Sequence, residues 1–193
     1  VPANEFLNLE GKKISTSKNW AVWLPDYLKD FKNKQDVLRY VLTVNSPENK
    51  DSDFTWNDFK NKNNNELVAI FGNFINRVTV LTHKYFMGKI PELDNLYEND
   101  KKIISRLIKF PKIIGSSIEN FKFRDGCFEM MNLARMGNKF LAEEEPWKKI
   151  KSNPKRVKTI INLSAQIAAT LSIVCEPFLP FTSIKLKSLL KIE

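Results

Sequence analysis

The residues most able to do chemistry by themselves gather at Lys13-Ile14-Ser15-Thr16-Ser17. They offer an ammonium, three hydroxyls and free backbone amides. Those are the groups that grip a polyphosphate, a point charge with several donors on a loop. The same residues also suit a plain solvated loop, because basic, hydroxyl-rich turns are common, and on chemistry alone both readings stand. The flanking residues Glu10-Gly11-Lys12 and Lys18-Asn19 extend the polar, basic stretch over 10–19. Other reactive types are sparse. His83 is the single histidine and falls at the end of a helical run, where it reads as structural. Cys127 and Cys175 lie far apart in apolar helical contexts and read as two buried, reduced thiols rather than a disulfide or a metal pair.

The elements that must hold such a loop are mostly helices. Trp20-Ala21-Val22-Trp23-Leu24 reads as a short strand, and Pro25 opens a short helix through Phe31, with Asp26 in its first turn. Asp36 reads as the cap of a helix over 37–42, and 45–53 is a polar connection. Thr55-Trp56-Asn57-Asp58 is a helix start. Leu67, Ile70, Phe71, Phe74, Val78, Leu81 and Tyr85 then step by three and four along one face of a long helix that ends before Gly88. A helical stretch over 100–121 is interrupted at Pro111, another covers 124–142, Pro154 opens one that stops before Pro177, and a last follows Pro180. The pattern predicts a mainly α fold. A short mixed α/β segment over residues 1–54 precedes an α-helical bundle over residues 55–193.

Composition bounds the rest. A chain of 193 residues, 42% hydrophobic and 27% charged, is ordinary globular material with room for one core and a small appendage. No run of about 18 uncharged apolar residues is present, so no membrane partner is expected. The opening Val1-Pro2-Ala3-Asn4-Glu5 has neither an initiator Met nor a signal-peptide layout, as expected of a fragment. A net charge of +9 favours polyanionic partners, nucleic acid first among them. Lysines set among asparagines, as in Asn61-Lys62-Asn63-Asn64-Asn65, suit a solvated surface equally well.

Order along the chain decides between these readings. Lys13-Ile14-Ser15-Thr16-Ser17 resembles the KMSKS signature of class I aminoacyl-tRNA synthetases, and Asp36-Val37-Leu38-Arg39-Tyr40 follows where those enzymes carry a similar helix. Pro47 to Trp56, Asn64-Asn65-Glu66-Leu67-Val68-Ala69 and Gly72-Asn73-Phe74-Ile75-Asn76-Arg77 resemble the methionyl branch. Asn138 to Lys148, including Glu145-Pro146-Trp147, fits the same branch. The resemblance covers nearly the whole chain.

That resemblance implies specific roles. Residues 1–54 would be the end of a catalytic domain, with its ATP-binding loop and a connecting segment, and 55–193 an anticodon-binding domain. Lys13, Ser15 and Ser17 would be catalytic, and Lys13, Ile14, Ser15, Thr16 and Ser17 would contact ATP, a substrate delivered with Mg. Thr16 departs from the family's second lysine, which weakens electrostatic support for the departing pyrophosphate; Lys18 is the nearest replacement. Asn73, Arg77 and Trp147 would bind the anticodon. Asn73 and Arg77, four apart, share a helical face at the edge of the apolar stripe, and a Trp suits an unpaired base. Trp20, Trp23 and Trp56 would pack the joint between the two parts. The family's histidine pair and zinc-bearing insertion would belong to a missing N-terminal catalytic half, so the fragment would bind methionine tRNA, with its CAU anticodon, without catalysing, in the cytoplasm and with no cofactor of its own. A leucyl, isoleucyl, valyl or cysteinyl synthetase, or a non-enzymatic helical RNA-binding or scaffold module, is the alternative.

Overall fold

Prolines open five of the helices, at positions 25, 111, 146, 154 and 180, where the missing N–H is one the helix would leave unbonded anyway. The computed structural model describes residues 3–192. In chain order the elements are β1 (Leu7–Leu9), β2 (Lys12–Lys13), α1 (Leu24–Asp30), α2 (Gln35–Val44), β3 (Ser52–Phe54) and α3 (Trp56–Lys62). A π-helical segment (Asn63–Gly72) continues directly into α4 (Asn73–Phe86). Then come α5 (Glu98–Leu107), α6 (Phe110–Glu119), α7 (Phe123–Glu144), α8 (Pro146–Lys149), α9 (Pro154–Val174) and α10 (Pro180–Leu190). The mainly α fold with a small mixed front segment is as the sequence predicts.

The front segment differs in detail. Its sheet has the order β2-β1-β3, with β1 antiparallel to β2 and parallel to β3, pairing Leu7 with Ser52 and Leu9 with Phe54. Glu10 and Gly11 turn the hairpin with φ of 51° and 72°, the left-handed pair that a tight two-residue turn requires. The Asp53 carboxylate accepts the Gly11 N–H at 2.9 and 3.0 Å. The strand expected over Trp20–Leu24 does not form. Trp20 makes only a bridge to Ser15, and Leu24 already begins α1. The actual strands are two or three residues long, too short to carry an alternating pattern.

Capping divides in the same way. Thr55 Oγ1 accepts the Asp58 N–H at 3.1 Å and starts α3 as expected. Asp36 does not cap α2, whose cap position is Lys34. Its buried carboxylate instead accepts the Thr182 N–H and hydroxyl, both at 2.6 Å, and the Phe181 N–H at 3.4 Å, so it caps α10 from 146 residues away. Arg39 adds a bond to the Pro177 carbonyl at 2.9 Å. These contacts tie α2 to the C-terminal helix.

The predicted long helix is continuous from Trp56 to Phe86, but its middle is π-helical. Phe71, Phe74, Val78 and Leu81 are buried, while Leu67, Ile70 and Tyr85 are half-buried at the stripe's edge. Helices α7 and α9 form the centre, where Met130, Leu133, Phe140, Ile160, Ile167 and Leu171 are fully enclosed. Among the described residues α9 is the one helix long and apolar enough to cross a membrane by composition, and 67% of that window is buried in the bundle. Cys127 and Cys175 are both free and buried, and burial pushes each thiol up to about 12. Gly137 sets the approach of α4 to α7. A Cβ there would fall 2.3 Å from the buried Phe74 ring, a separation no packing tolerates.

Candidate nucleic-acid interface

The close approach at Gly137 brings the first turn of α4 against the adjacent residue of α7, Asn138. Asn73 opens α4 where the π-helical segment ends, and Arg77 follows one turn later on the same side. Asn73 Nδ2 donates to Asn138 Oδ1 at 3.3 Å. An Arg77 guanidinium nitrogen donates to the same Oδ1 at 3.3 Å and to the Asn138 carbonyl at 3.4 Å. Asn138 Nδ2 in turn donates to the Ile70 carbonyl at 2.8 Å and the Ala134 carbonyl at 3.3 Å.

Trp147 joins this cluster from α8. Glu145 takes a left-handed conformation, φ 43°, that ends α7, and the buried Pro146 starts α8 at once. The sharp turn sets the indole beneath Arg77, whose guanidinium carbon lies 5.4 Å from the ring centroid, within cation–π range. Trp147 remains 39% exposed, enough for another flat group to stack on it. Arg77 is half-buried, and burial lowers its pKa; a guanidinium nonetheless stays charged. Among the described residues Arg77 makes no ion pair; its partners are neutral oxygens and an aromatic face.

The three acids before Trp147 do not neutralise Arg77, because other cations take them. Glu143 pairs with Lys139 at 3.7 Å, Glu144 bonds Arg156 at 2.6 and 3.1 Å and Lys149 at 2.8 Å, and Glu145 pairs with Lys148 at 2.7 Å. Arg156 also bonds the fully buried Asp100, one of the two contacts at 2.9 Å, and sits 4.3 Å from the Tyr97 ring. Asp100 closes the start of α5 by accepting the Tyr97 N–H at 2.8 Å. Burial pushes the Glu144 carboxyl up, but hydrogen bonds from Arg156 and Lys149 outweigh it and hold it below the ordinary glutamate value. Burial lowers Arg156, and the bonds to Asp100 and Glu144 more than reverse that. The network fastens α5, the end of α7 and the start of α9 beneath the α8 turn.

The basic loop is built differently. Ser15 and Trp20 close it with paired backbone bonds at 2.9 and 2.8 Å, and the Ser15 and Ser17 hydroxyls lie 3.2 Å apart. Asn19, at φ 50°, turns the chain, and its side chain accepts the Trp23 indole N–H at 2.9 Å. The Trp20 indole N–H donates to the Leu9 carbonyl at 2.9 Å, and the Lys12 ammonium sits 5.1 Å from its ring. Trp20 and Trp23 therefore brace the loop, and Trp20 also packs against the core. Trp56 packs between the front segment and α3, stacked on Phe31 with centroids 5.7 Å apart and edge-on to Phe54 and Phe59. Lys13, Ile14, Thr16, Ser17 and Lys18 are exposed, and the Lys13 ammonium lies 5.9 Å from the centre of the Phe6 ring. Beside the loop is an open apolar hollow of about 320 Å³, lined by Leu7, Ile14, Val22, Leu24 and Phe54 among others.

Residues 1–79 match the family described as tRNA synthetases class I (M), and residues 90–193 match the anticodon binding domain of methionyl tRNA ligase. The chain belongs to the methionyl-tRNA ligase family. It is 65% identical over 190 residues to a methionine–tRNA ligase of Christiangramia forsetii and 61% identical over 193 residues to that of Flavobacterium psychrophilum. Those alignments take in 98% and 100% of this chain but 28% of each relative, so the chain spans somewhat over a quarter of the curated relatives' length. A solved Mycobacterium tuberculosis methionyl-tRNA synthetase, in complex with methionyl-adenylate, superposes with a TM-score of 0.86 over 95% of this chain and 36% of its own. At 18% identity that likeness speaks for the fold.

Asn73, Arg77 and Trp147, expected together in a ligase of this family, do meet in one cluster. The member that sequence reasoning missed is Asn138. It lay inside a segment that resembles the family, yet no role fell to it. The available signal was a carboxamide among core positions, with Ala134, Gly137 and Leu141 buried around it on α7. A half-buried amide in such company needs partners.

Proposed function

We propose that this chain reads the CAU anticodon of methionine tRNA and forms part of a longer ligase that joins methionine to that tRNA. One observation carries the reading: a half-buried Arg77 guanidinium with no counter-ion among the described residues, seated over Trp147 and beside Asn73. A partly dehydrated cation of this kind favours an anionic or hydrogen-bond-accepting partner. Trp147 adds a surface for an unstacked base, and Asn73 adds an amide able to both donate and accept. Net charge of +9 supports the approach of RNA as a whole.

In that longer enzyme the methionine carboxylate attacks the α-phosphorus of ATP, forming methionyl-adenylate and releasing pyrophosphate. A hydroxyl of the terminal tRNA ribose then takes the methionyl group and releases AMP. Lys13, with the Ser15 and Ser17 hydroxyls, is placed on the pyrophosphate side, and Ile14 and Thr16 complete the ATP-contacting loop. The Mg ion comes with ATP, any zinc belongs to the catalytic half, and the enzyme works in the cytoplasm. The domain change falls where β3 meets α3, at residues 54 and 55.

The test is filter binding of the chain to methionine tRNA and to the same tRNA with a changed anticodon, across a salt series. Tighter binding to the CAU form, falling as salt rises, is expected. Equal affinity for both tRNAs would overturn the reading in favour of a general RNA-binding or scaffold role.

A further inference from the structure

We infer that Asn138 is the positioning residue of the anticodon pocket, the group that fixes which donors and acceptors Asn73 and Arg77 present to the RNA. The inference rests on the reading of that pocket as an anticodon site. Asn138 lies on α7, 65 residues from Asn73 and 61 from Arg77, and its carboxamide is fully engaged. Nδ2 faces two carbonyls, Ile70 at 2.8 Å and Ala134 at 3.3 Å. Carbonyls only accept, so flipping the amide would set its oxygen against two others. Oδ1 is thereby held toward α4, where it accepts from Asn73 and from Arg77, each at 3.3 Å.

The π-helical segment contributes to this lock. Ile70 sits in its last turn, where the Asn73 N–H is shared between the carbonyls of Ile70 and Val68. The Ile70 carbonyl therefore retains capacity for a side-chain donor, and Asn138 uses it. A local break in α-helical bonding placed at a functional site is where such segments recur.

The consequence is a fixed pattern of polarity. With Nδ2 bonded to Asn138, the Asn73 amide keeps its orientation, and among the described residues its Oδ1 accepts nothing. The pocket then offers one free amide acceptor beside the second Asn73 N–H and the remaining guanidinium donors. That pattern complements the pairing edge of cytosine, an amino donor at position 4 beside the N3 acceptor, and opposes uracil, where position 4 accepts and N3 donates. Asn138 thus determines specificity without touching the RNA.

The experiment measures affinity of the full chain for two RNA stem-loops, one carrying CAU and one carrying UAU. Wild type, Asn138→Ala, Asn73→Ala and the double variant are compared, each with its melting temperature. Asn138→Ala is expected to melt close to wild type yet lose about tenfold of the preference for CAU, the worth of one charge-assisted hydrogen-bond arrangement. In the Asn73→Ala background the same change should remove almost no further preference. A preserved CAU preference in Asn138→Ala, with wild type discriminating, overturns the inference alone. A wild type that does not discriminate overturns the pocket reading and this inference with it. Asn138→Ser, whose small hydroxyl can still donate to a neighbouring carbonyl, covers the case of an unfolded alanine variant. It lacks the carboxamide oxygen that accepts from Asn73 and Arg77, so its preference for CAU should fall as in the alanine variant, and wild-type discrimination by it also overturns the inference.

Discussion

The loop at residues 13–18 and the pocket around Arg77 both offer cationic and hydroxyl or amide groups, yet they are assembled in opposite ways. The loop is closed by bonds between near neighbours, Ser15 to Trp20 and Asn19 to Trp23, and most of its side chains are exposed. The pocket joins α4, α7 and α8, with contacts spanning 61 to 70 residues, over a buried ionic network. A loop of short-range bonds keeps its shape but supplies only one side of a site, and the apolar hollow beside it has no cover among the described residues. The pocket is complete within the chain: cation, aromatic face and oriented amides are already in contact. On the proposed reading, one region would supply one side of an active site, and the other would be an RNA-binding surface built within the chain.

The strongest way to break this contrast is to remove what the pocket stands on. Arg156→Met leaves Asp100 buried with no cation and Glu144 with Lys149 alone. Breaking a buried pair by deleting one partner costs about 3–5 kcal/mol, and for a chain of this length each kcal/mol lowers the melting temperature by roughly 2–4 °C. The pH dependence follows from Glu144, whose carboxyl is held below its ordinary value in the folded chain. Between the folded and unfolded values the unfolded chain binds more protons, so this stabilisation is full above about pH 4.3. It is lost as pH falls through the folded value. Melting curves of wild type and Arg156→Met from neutral to acid pH should converge as the acid limit is approached. Equal melting temperatures at neutral pH would mean that the network does not support the pocket.

The two regions also differ in how far the sequence reveals them. Spacing announces the helices, because apolar residues at threes and fours leave one way to bury them, as with Phe74, Val78 and Leu81. The loop is legible because its motif is contiguous. Asn73 and Arg77 are visible as a pair one turn apart, since a helix converts that spacing into adjacency. What stays hidden is set by distant pairing: Asp36 capping α10, Asp100 meeting Arg156, and Asn138 holding two residues of α4. No local rule links residues that far apart. The π-helical turn is hidden for another reason, since its residues keep nearly the apolar spacing of an α-helix. The short strands fail because two or three residues cannot display a period.

A smaller effect isolates recognition from folding. Trp147 is more than a third exposed, so Trp147→Ala should change stability little while removing both a base-stacking surface and the aromatic face under Arg77. Loss of one such stack weakens single-stranded RNA binding by about 1–3 kcal/mol. The measurement is affinity of the chain for the CAU stem-loop alongside its melting temperature. An unchanged affinity would place the base elsewhere and separate Trp147 from the Asn73–Arg77 pair.

The smallest effect sharpens the other half of the comparison. Thr16 stands where related loops carry a lysine, and Lys18 is the nearest exposed cation able to supply the missing charge. If the loop is one side of an ATP site, Lys18→Ala in the complete ligase should slow adenylate formation by roughly fivefold, since water weakens a charge on an open loop. The KM for methionine should hold, because no loop cation faces the amino acid in this reading. Thr16→Lys should raise the rate of the Lys18→Ala enzyme, as restored charge can offset lost charge at nearly the same place. Pyrophosphate exchange measures all three enzymes without tRNA, which keeps the anticodon pocket out of the result. Equal exchange rates would leave the loop as a shaped hydroxyl surface whose cations do no work on the phosphates.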